Sequence, residues 1–385
     1  MREVAVLGIG QTRVDEHWDK SLKELAGDAV LAALQDSGLA GAEALYVGNM
    51  MSGPANHQQH LGASIADWVG LRFSSAMHIE AACGSGGAAF RSALIAVASG
   101  SVDTAVAVGV EKMTDSPGNE ITAQLATAAD ADWELEQGVS FVALNALIMQ
   151  RYLHEYGWNK SHFAAFSLNA HANGAHNPYA RFQEPISEAI YNRAGMIADP
   201  INLMDASPMG DGSAAAVLVP ADYLRSRQNQ TIIRVVASAA ATDTISVQSR
   251  RDGLWLKAAE SSARQAYAQA GITPAEINIF EAHDAFSIMA ALSLEAAGFA
   301  ERGQGPRLAN DGEIRPSGRI PISTRGGLKA RGHPVGATGM YQIVEVVQQL
   351  RGEATGTQVP DARLGMAQNI GGSGSNIITH ILKAG

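Results

Sequence analysis

Cysteine is almost missing from this chain of 385 residues, which contains only Cys83. One cysteine cannot form a disulfide within the chain, and it cannot supply a cysteine-rich zinc cluster. We therefore expect no metal site. If Cys83 has a chemical role, it acts as a reactive thiol.

An excess of positive charge is also missing, because 28 basic residues face 38 acidic ones and the net charge is −10. This balance argues against a general nucleic-acid-binding protein, which would carry a basic face. No stretch approaches the roughly 18 uninterrupted apolar residues of a membrane-spanning helix. The first residues turn polar too early for a secretory signal. We therefore expect a cytoplasmic protein that contacts neither nucleic acid nor membrane.

The residues that are present predict a folded α/β protein. The hydrophobic share of 46% is typical of globular chains rather than disordered ones. The length exceeds the roughly 250–300 residues that one core usually holds, which favours two or more domains. A strand at residues 4–7 and a helix at residues 21–37 begin an alternation that continues to Val110, and such alternation indicates the α/β class.

Residues 114–204 differ from their surroundings because they hold many polar residues, aromatics and histidines. We interpret this stretch as an inserted loop domain. Residues 1–113 together with 205–225 then form the N-terminal domain, and residues 226–385 form the C-terminal domain.

The second half of the chain resembles the first in the order of its segments. Residues 38–43 and 271–276 each follow a helix and lead into a strand, while residues 81–87 and 332–339 are glycine-rich and each opens a helix. Chance similarity between alanine-rich helices is the alternative. Two matched pairs in the same order favour a duplicated unit.

Cys83 and His333 lie in the two matched helix starts, so a pseudo-twofold arrangement would bring them to one crevice. A thiol at a helix N-terminus feels the positive end of the macrodipole, and we expect its pKa to fall from about 8.5 toward neutrality. His333 could then deprotonate Cys83. The alternatives are a buried structural cysteine and a histidine that donates to a nearby carbonyl.

Two further segments could enter the same crevice. His283 follows a predicted strand at residues 277–281, and strand ends in α/β folds face the crevice. Its alternative role is that of a loop histidine paired with Asp284. Residues 369–374 form a glycine-rich turn after a strand at residues 364–367, and its free amides could hold an oxyanion.

Five cations fall within 17 residues that contain no acidic side chain, namely Arg315, Arg319, Arg325, Lys329 and Arg331. A solvated surface explains most such clusters. The functional interpretation is a site for a phosphate-bearing ligand near His333.

These segments, in this order, resemble the thiolase superfamily over nearly the whole chain. The markers are Cys83 with its glycine-rich helix start, GVEKM at 109–113, MGDGSA at 209–214, GG at 326–327, GHPVGATG at 332–339 and the glycine-rich turn near the C-terminus. The sequence HDAF at 283–286 is similar to the sterol-carrier-type and archaeal-type members, which include acetyl-CoA C-acetyltransferases.

The resemblance implies a fold and a set of roles. The fold is a thiolase fold, with duplicated βαβαβαββ halves in a five-layered αβαβα arrangement and an inserted loop domain. Cys83 would be the acyl-accepting nucleophile, and His333 the base that activates it. His283 would bind the thioester oxygen of the enolate-forming acyl group. The amides of Cys83 and Gly371 would form the oxyanion hole of the acyl-enzyme step.

The resemblance also implies partners. Coenzyme A thioesters would be the substrates, with no permanently bound cofactor, and the coenzyme would lie across the loop domain near Arg325, Lys329 and Arg331. The family forms dimers and dimers of dimers, so we expect a homo-oligomer. Archaeal-type members work with a small zinc-ribbon/OB-fold protein that helps to hold coenzyme A, and we expect such a partner here.

The chain departs from the family at the second catalytic cysteine. Classical thiolases have it where Asn369 stands, and sterol-carrier-type enzymes have it where Ala285 stands. No second thiol can therefore move the α-proton. The remaining set of Cys83, His283 and His333 resembles that of decarboxylating ketoacyl synthases.

Three functions stay open at this point. The one we favour is an acyl-CoA C-acyltransferase that makes or cleaves acetoacetyl-CoA through an acetyl-Cys83 intermediate, by Claisen-type chemistry. The second is a thiolase-like retro-aldol lyase that acts on a CoA thioester in side-chain degradation. The third is a non-catalytic acyl-CoA-binding subunit, against which the intact Cys83 and His333 argue.

Overall fold

The computed structural model describes residues 2–226 and 231–385, with backbone alone for residues 224–226. In this part of the chain, nine strands form one mixed sheet in the order β3-β2-β4-β7-β1-β8-β11-β10-β9, and β5 pairs with β6. The strands are β1 (Val4–Gln11), β2 (Ala44–Gly48), β3 (Ser75–Ile79), β4 (Ala105–Glu111), β5 (Met196–Ala198), β6 (Ile201–Asn202), β7 (Gly212–Pro220), β8 (Ile233–Thr242), β9 (Ile279–Glu281), β10 (Leu364–Gly371) and β11 (Asn376–Ala384).

Twelve α-helices occur in the described ranges, and short 3₁₀ or π turns join several of them. The helices are α1 (Leu22–Ser37), α2 (Ser52–Asn56), α3 (Leu61–Trp68), α4 (Ser85–Ser99), α5 (Gly118–Ala126), α6 (Phe141–Tyr156), α7 (Ala164–Gly174), α8 (Glu188–Arg193), α9 (Lys257–Ala270), α10 (Ser287–Ala296), α11 (Gly305–Asn310) and α12 (Thr338–Arg351). Over these same ranges, none of the helices combines the length and the apolar character needed to cross a membrane.

The large sheet consists of two similar halves that meet where β1 pairs with β8. In the first half, the parallel strands β3, β2 and β4 are followed by the antiparallel β7 and β1. In the second half, the parallel β9 and β10 are followed by the antiparallel β11 and β8. A single parallel bridge from Phe280 to Ile322 marks the outer position that β3 occupies in the first half. The pairing therefore supports the predicted duplication.

Alternate residues of the first half-sheet contact different helices, because successive side chains of a strand point to opposite faces. In β4, Val106 and Val108 pack in one cluster with Leu25 of α1, whereas Ala105 and Ala107 pack in another with Phe90 of α4. This half-sheet is therefore covered by α1 on one face and by α4 on the other.

The second half-sheet is covered in the same way. Met366 of β10 shares a cluster with Ala263 of α9, while the next residue, Ala367, shares the cluster of Met340 in α12. Because Met340 and Phe90 of α4 lie in that same cluster, α4 and α12 form a middle layer. The layers are α1, the first half-sheet, α4 with α12, the second half-sheet and α9, which confirms the predicted five-layered fold.

Residues 114–204 hold α5 to α8 and the β5–β6 pair, and they connect β4 to β7. Tyr152, Phe163 and Phe166 from this segment pack with Phe280 of the second half. The segment is therefore anchored by aromatic packing. The domain boundaries given above stay predictions.

Two local predictions near the crevice are wrong in their boundaries. The helix expected to open at His333 begins at Thr338, because Gly332 turns the chain at φ 107° and a 3₁₀ turn at Val335–Ala337 intervenes. Asn369 was expected in a turn, but it lies inside β10, which continues for two more residues. Asn369 therefore reaches the crevice from a strand, whereas His333 reaches it from the irregular segment before α12.

Candidate active site

Cys83 lies in a tight turn between β3 and α4. Ala82 before it has a left-handed backbone at φ 52°, which is uncommon for a residue with a Cβ. The hydroxyl of Ser85 holds this turn, because it donates to the Ala82 carbonyl at 2.6 Å and accepts from the Ala81 N–H at 2.9 Å. The turn places Cys83 on the wall of a cavity of about 390 Å³.

The expected lowering of the thiol pKa is wrong for the protein without substrate. Burial, together with the negative charge of Glu111, raises the pKa of Cys83 to about 12. The backbone N–H groups of Cys83 and Gly372 lie against the sulfur and act in the opposite direction, but burial outweighs them. At neutral pH Cys83 is therefore a thiol that needs a base to become a nucleophile.

His333 lies on the wall of the same cavity. Its Nδ1 is 2.6 Å from the Thr338 hydroxyl, and its backbone N–H donates to the Pro208 carbonyl at 3.1 Å. Burial lowers the pKa of His333 well below the usual value, and the nearby His283 and Arg331 lower it further. The ring is therefore neutral at pH 7 and able to accept a proton.

His283 faces the same cavity from the loop that follows β9. Its ring centroid is 5.1 Å from that of His333, with the ring planes at 85°. Burial, with the charge of Arg331, lowers the pKa of His283 to about 3. Asp284 is engaged elsewhere, because its carboxylate accepts from the Leu328 N–H at 2.7 Å and from the Ser323 hydroxyl at 2.9 Å. The structure thus brings together the three residues that the sequence singled out.

Asn369 connects these residues from β10. Its side-chain Oδ1 accepts from the backbone N–H of Gly87 at 3.1 Å, and its Nδ2 donates to the Cys83 carbonyl at 3.0 Å. The same Nδ2 lies 3.3 Å from Nδ1 of His283. One amide therefore touches the start of α4, the backbone of Cys83 and a histidine ring.

The N-terminal ends of α4 and α12 pack closely against each other, and glycines at both ends allow this close contact. A Cβ on Gly86 would lie 2.9 Å from the Gly336 carbonyl, and a Cβ on Gly339 would lie 2.3 Å from the Gly87 nitrogen. Both distances are shorter than real Cβ contacts. The glycine-rich markers of the two halves are therefore required by backbone packing beside the cavity.

The GVEKM marker supplies a buried carboxylate that joins the two halves. Glu111 accepts from the backbone N–H groups of Met50 at 3.0 Å, Met51 at 3.1 Å and Gly336 at 2.9 Å, and also from the Asn49 amide at 2.8 Å. Burial raises the pKa of Glu111 to about 7. Glu111 therefore ties the loop after β2 to the loop that carries His333.

The MGDGSA marker supplies a second buried carboxylate, Asp211. It accepts from the Met113 N–H at 2.7 Å, the Thr114 N–H at 3.0 Å and the Lys112 ammonium at 3.0 Å. Burial would raise its pKa, but these bonds and that of the Thr114 hydroxyl lower it overall. This marker is therefore a structural connection between β4 and β7, and the sequence did not assign it a role.

Of the five clustered cations, Arg315 and Arg319 are exposed, as a solvated surface predicts. Arg331 is enclosed together with Glu345, with 2.8 Å between Nε and Oε1. Because Arg331 has no exposed surface, the prediction that it contacts coenzyme A loses its support.

Arg325 and Lys329 are also buried. Arg325 donates to the Thr355 carbonyl at 3.0 Å and is not among the residues that line the cavity, so its predicted contact with coenzyme A loses support as well. Lys329 lines the cavity, and its ammonium donates to the Asp205 carbonyl. Burial lowers the pKa of Lys329 to about 8. Of the three predicted contacts, Lys329 alone keeps a surface toward a ligand.

The predicted oxyanion amides lie close together. A Cβ on Gly84, next to Cys83, would be 3.4 Å from the Gly371 nitrogen, so the amide of Gly371 lies beside the turn that carries Cys83. The next residue, Gly372, lines the cavity, and its N–H lies against the Cys83 sulfur. The role of these amides as an oxyanion hole stays a prediction.

Two family models match the chain. The one described as "Thiolase, N-terminal domain" matches residues 4–222, and the one described as "Thiolase C-terminal domain-like" matches residues 239–384. Together they span most of the sequence, including residues from both halves of the chain that line the cavity.

Individual proteins are similar over their whole length. An acetyl-CoA acetyltransferase of Methanothermobacter thermautotrophicus is 45% identical and one of Methanocaldococcus jannaschii is 35% identical, each over 99% of both chains. A solved structure of the Ltp2-ChsH2(DUF35) aldolase has a TM-score of 0.86 at 24% identity, covering 99% of this chain and 98% of that one. The last likeness concerns the fold.

Proposed function

Because the chain belongs to the thiolase family of acyltransferases, we propose that it is an acetyl-CoA C-acetyltransferase that makes or cleaves acetoacetyl-CoA. The observation that carries the proposal is the shared cavity, on whose wall Cys83, His283 and His333 lie together. The two acetyl-CoA acetyltransferases among its relatives support the choice of the acetyl group.

In the first half-reaction, His333 takes the thiol proton as the Cys83 sulfur attacks the carbonyl carbon of acetyl-CoA. Since both residues are neutral in the free protein, this transfer is driven by attack rather than by a preformed ion pair. The amides of Cys83 and Gly371 hold the developing oxyanion, and each such donor typically contributes about 3 kcal/mol. The C–S bond to coenzyme A breaks, and its sulfur takes the proton back from His333.

In the second half-reaction, His333 removes an α-proton from a second acetyl-CoA, and His283 donates to the enolate oxygen. The carbanion attacks the carbonyl of acetyl-Cys83, so a carbon–carbon bond forms and the thioester to Cys83 breaks. The Cys83 sulfur leaves with the proton held by His333. Apolar residues around the cavity, among them Phe286 and Met289, strengthen these interactions by excluding water.

Coenzyme A is proposed to enter along the loop domain, residues 114–204, several of whose residues line the cavity together with Lys329. We extend the proposal to a homo-oligomer and to a small zinc-ribbon/OB-fold partner. The two-component solved relative is compatible with such a partner.

The test is to incubate the purified chain with acetyl-CoA labelled in the acetyl group, quench with acid, and map the label by peptide mass spectrometry. We expect the label on the peptide that contains Cys83, and its loss in Cys83→Ala. Coenzyme A added before the quench should remove the label. Absence of any adduct on Cys83 would overturn the proposal.

A second candidate is the retro-aldol lyase, which needs no acyl-enzyme. The observation that favours it is the lack of a second cysteine in the whole sequence. Under this alternative, Cys83→Ala would still cleave a 3-hydroxyacyl-CoA substrate at a rate near that of the parent chain. Loss of that cleavage in Cys83→Ala would remove the alternative.

A further inference from the structure

The two histidines of the cavity must do opposite things in the proposed reaction. His333 has to accept protons, and His283 has to donate a hydrogen bond to the enolate oxygen. In a neutral imidazole, one ring nitrogen carries a proton and can donate a hydrogen bond, while the other has a lone pair and can accept a proton. The partners of the two Nδ1 atoms therefore decide which role each ring can take.

The amide of Asn369 has only one possible orientation. A backbone N–H can only donate, so the atom 3.1 Å from the Gly87 nitrogen is the amide oxygen. A backbone carbonyl can only accept, so the atom 3.0 Å from the Cys83 oxygen is the amide nitrogen. Backbone partners thus remove the usual ambiguity between the oxygen and nitrogen of an asparagine.

This orientation determines the proton position on His283. The Asn369 nitrogen lies 3.3 Å from Nδ1 of His283 and can offer it only an N–H. Nδ1 must then supply the lone pair, and the ring proton resides on Nε2. His283 lines the cavity, and in residues 2–226 and 231–385 no hydrogen bond occupies that Nε2–H.

The Thr338 hydroxyl places the ring proton of His333 on the other nitrogen, Nδ1. Its oxygen lies 3.2 Å from the Pro334 carbonyl, which takes the single hydroxyl proton. The hydroxyl oxygen then accepts from Nδ1–H of His333, at a distance of 2.6 Å. The lone pair of His333 is left on Nε2, which no group of the described chain engages.

We propose that Asn369 and Thr338 are positioning residues that set the two cavity histidines in opposite tautomers, so that His283 presents Nε2–H to substrate oxygen and His333 presents a bare Nε2 to protons. The asparagine at the position of the missing second cysteine therefore replaces it by orienting a hydrogen-bond donor, and it moves no proton itself. The catalytic roles of the two histidines rest on the proposed function, whereas their tautomers follow from hydrogen bonds within the protein itself.

The direct test is long-range ¹H–¹⁵N correlation spectroscopy of the full chain labelled with ¹⁵N-histidine at neutral pH. His283→Gln and His333→Gln identify the two sets of signals. We expect the protonated nitrogen of His283 to be Nε2 and that of His333 to be Nδ1. The proposal is overturned if the free protein shows the same tautomer for both rings.

Matched variants separate positioning from mere packing. Asn369→Asp keeps an oxygen for the Gly87 N–H but has no N–H for His283, so we expect a proton to move onto Nδ1 of His283. Thr338→Ser keeps the hydroxyl and should retain the His333 tautomer, whereas Thr338→Val should lose it. An unchanged His283 tautomer in Asn369→Asp would contradict the assignment.

The kinetic readout uses two steps that depend differently on His283. Exchange of the acetyl-CoA α-protons with deuterated water requires the enolate donor, and we expect Asn369→Asp to slow it by about 100-fold. Acetylation of Cys83 does not use that donor and should slow by less than about fivefold. Equal slowing of both steps would indicate a structural role and overturn the proposal. If Cys83 takes no acetyl group in the parent chain, the proposed function fails while the tautomer result stands.

Discussion

The two halves of the molecule carry related segments at the cavity, and the chain uses them in different ways. In the turn before α4, the thiol of Cys83 lies against its own backbone N–H and that of Gly372. In the turn before α12, the corresponding amide of Gly336 is already occupied, because it donates to Glu111 at 2.9 Å. Near the first segment two N–H groups therefore face a thiol, whereas near the second a carboxylate of the first half already occupies the amide.

This difference explains how a duplicated fold can hold a single site. Glu111 of the first half satisfies the amide of the second, and the helix start of the second half serves to hold His333 through Thr338. The symmetry of the fold is thus broken by a few hydrogen bonds.

The largest effect is expected for the carboxylate that links the halves. Glu111→Gln replaces one accepting oxygen with an NH₂ group that faces backbone donors, so we expect the free energy of unfolding to fall by about 3 kcal/mol. Urea unfolding measures this change. Glu24→Gln is the control, because Glu24 also accepts a backbone N–H but lies at the partly exposed start of α1, so a much smaller loss is expected there. Equal losses in the two variants would show that Glu111 does not hold the halves together.

A smaller loss is expected where the two helix starts touch. In Gly339→Ala the new Cβ would lie 2.2 Å from Oδ1 of Asn369, and we expect a loss of about 2 kcal/mol. Gly253→Ala is the matched change, because no heavy atom lies within 4 Å of its Cβ position. Thermal unfolding of both variants checks this prediction. A stable Gly339→Ala chain would mean that the halves can separate without cost.

The smallest effect is a change in pH dependence, and it has opposite signs in the two halves. The pKa of His283 is lowered to about 3, so as the pH falls the unfolded chain binds this proton at a higher pH than the folded chain does. Stability is therefore lost as the pH falls from about 6.5 toward 3. The pKa of Glu111 is raised to about 7, so the folded chain holds that proton more tightly and stability falls as the pH rises from about 4.5 to 7.

Unfolding free energies measured between pH 5 and 6 should therefore separate the two groups. His283→Gln should reduce the positive slope by up to about 1.4 kcal/mol per pH unit. His380→Gln should do the same, because burial also lowers the pKa of His380 to about 3. Glu111→Gln should make the slope more positive. Unchanged slopes in all three variants would refute the contrast between the halves.

Much of the fold could be predicted because its signals are local. The capping box of Ser21 and Glu24 is present, and α1 ends at Gly38 with φ 68°. Alternation of strands and helices, with two similar glycine-rich segments, predicted the duplicated α/β arrangement. The start of α12 was misplaced because Pro334 is compatible with a first helical turn, whereas the positive φ of Gly332 depends on packing.

The sequence singled out three residues that the structure brings to one cavity, but it did not predict their electrostatics. Cys83, His283 and His333 could be found because each lies next to a glycine-rich turn or a strand end. The direction of the thiol pKa was wrong because burial and the charge of Glu111 cannot be seen from neighbouring residues. The cation cluster misled for the same reason, since Arg331 has a buried partner, Glu345, in a distant helix.

By itself, the sequence determined the α/β class, the position of the single cysteine and the absence of a second thiol, because these depend on composition and short-range pattern. The tertiary structure alone decided which backbone amides are occupied, which cations are enclosed and which group each histidine Nδ1 meets. Those properties arise from contacts between residues up to 286 positions apart, such as Asn369 with Cys83. Burial removes water as a competing partner, so each of these contacts sets the charge or proton position of the group that it meets.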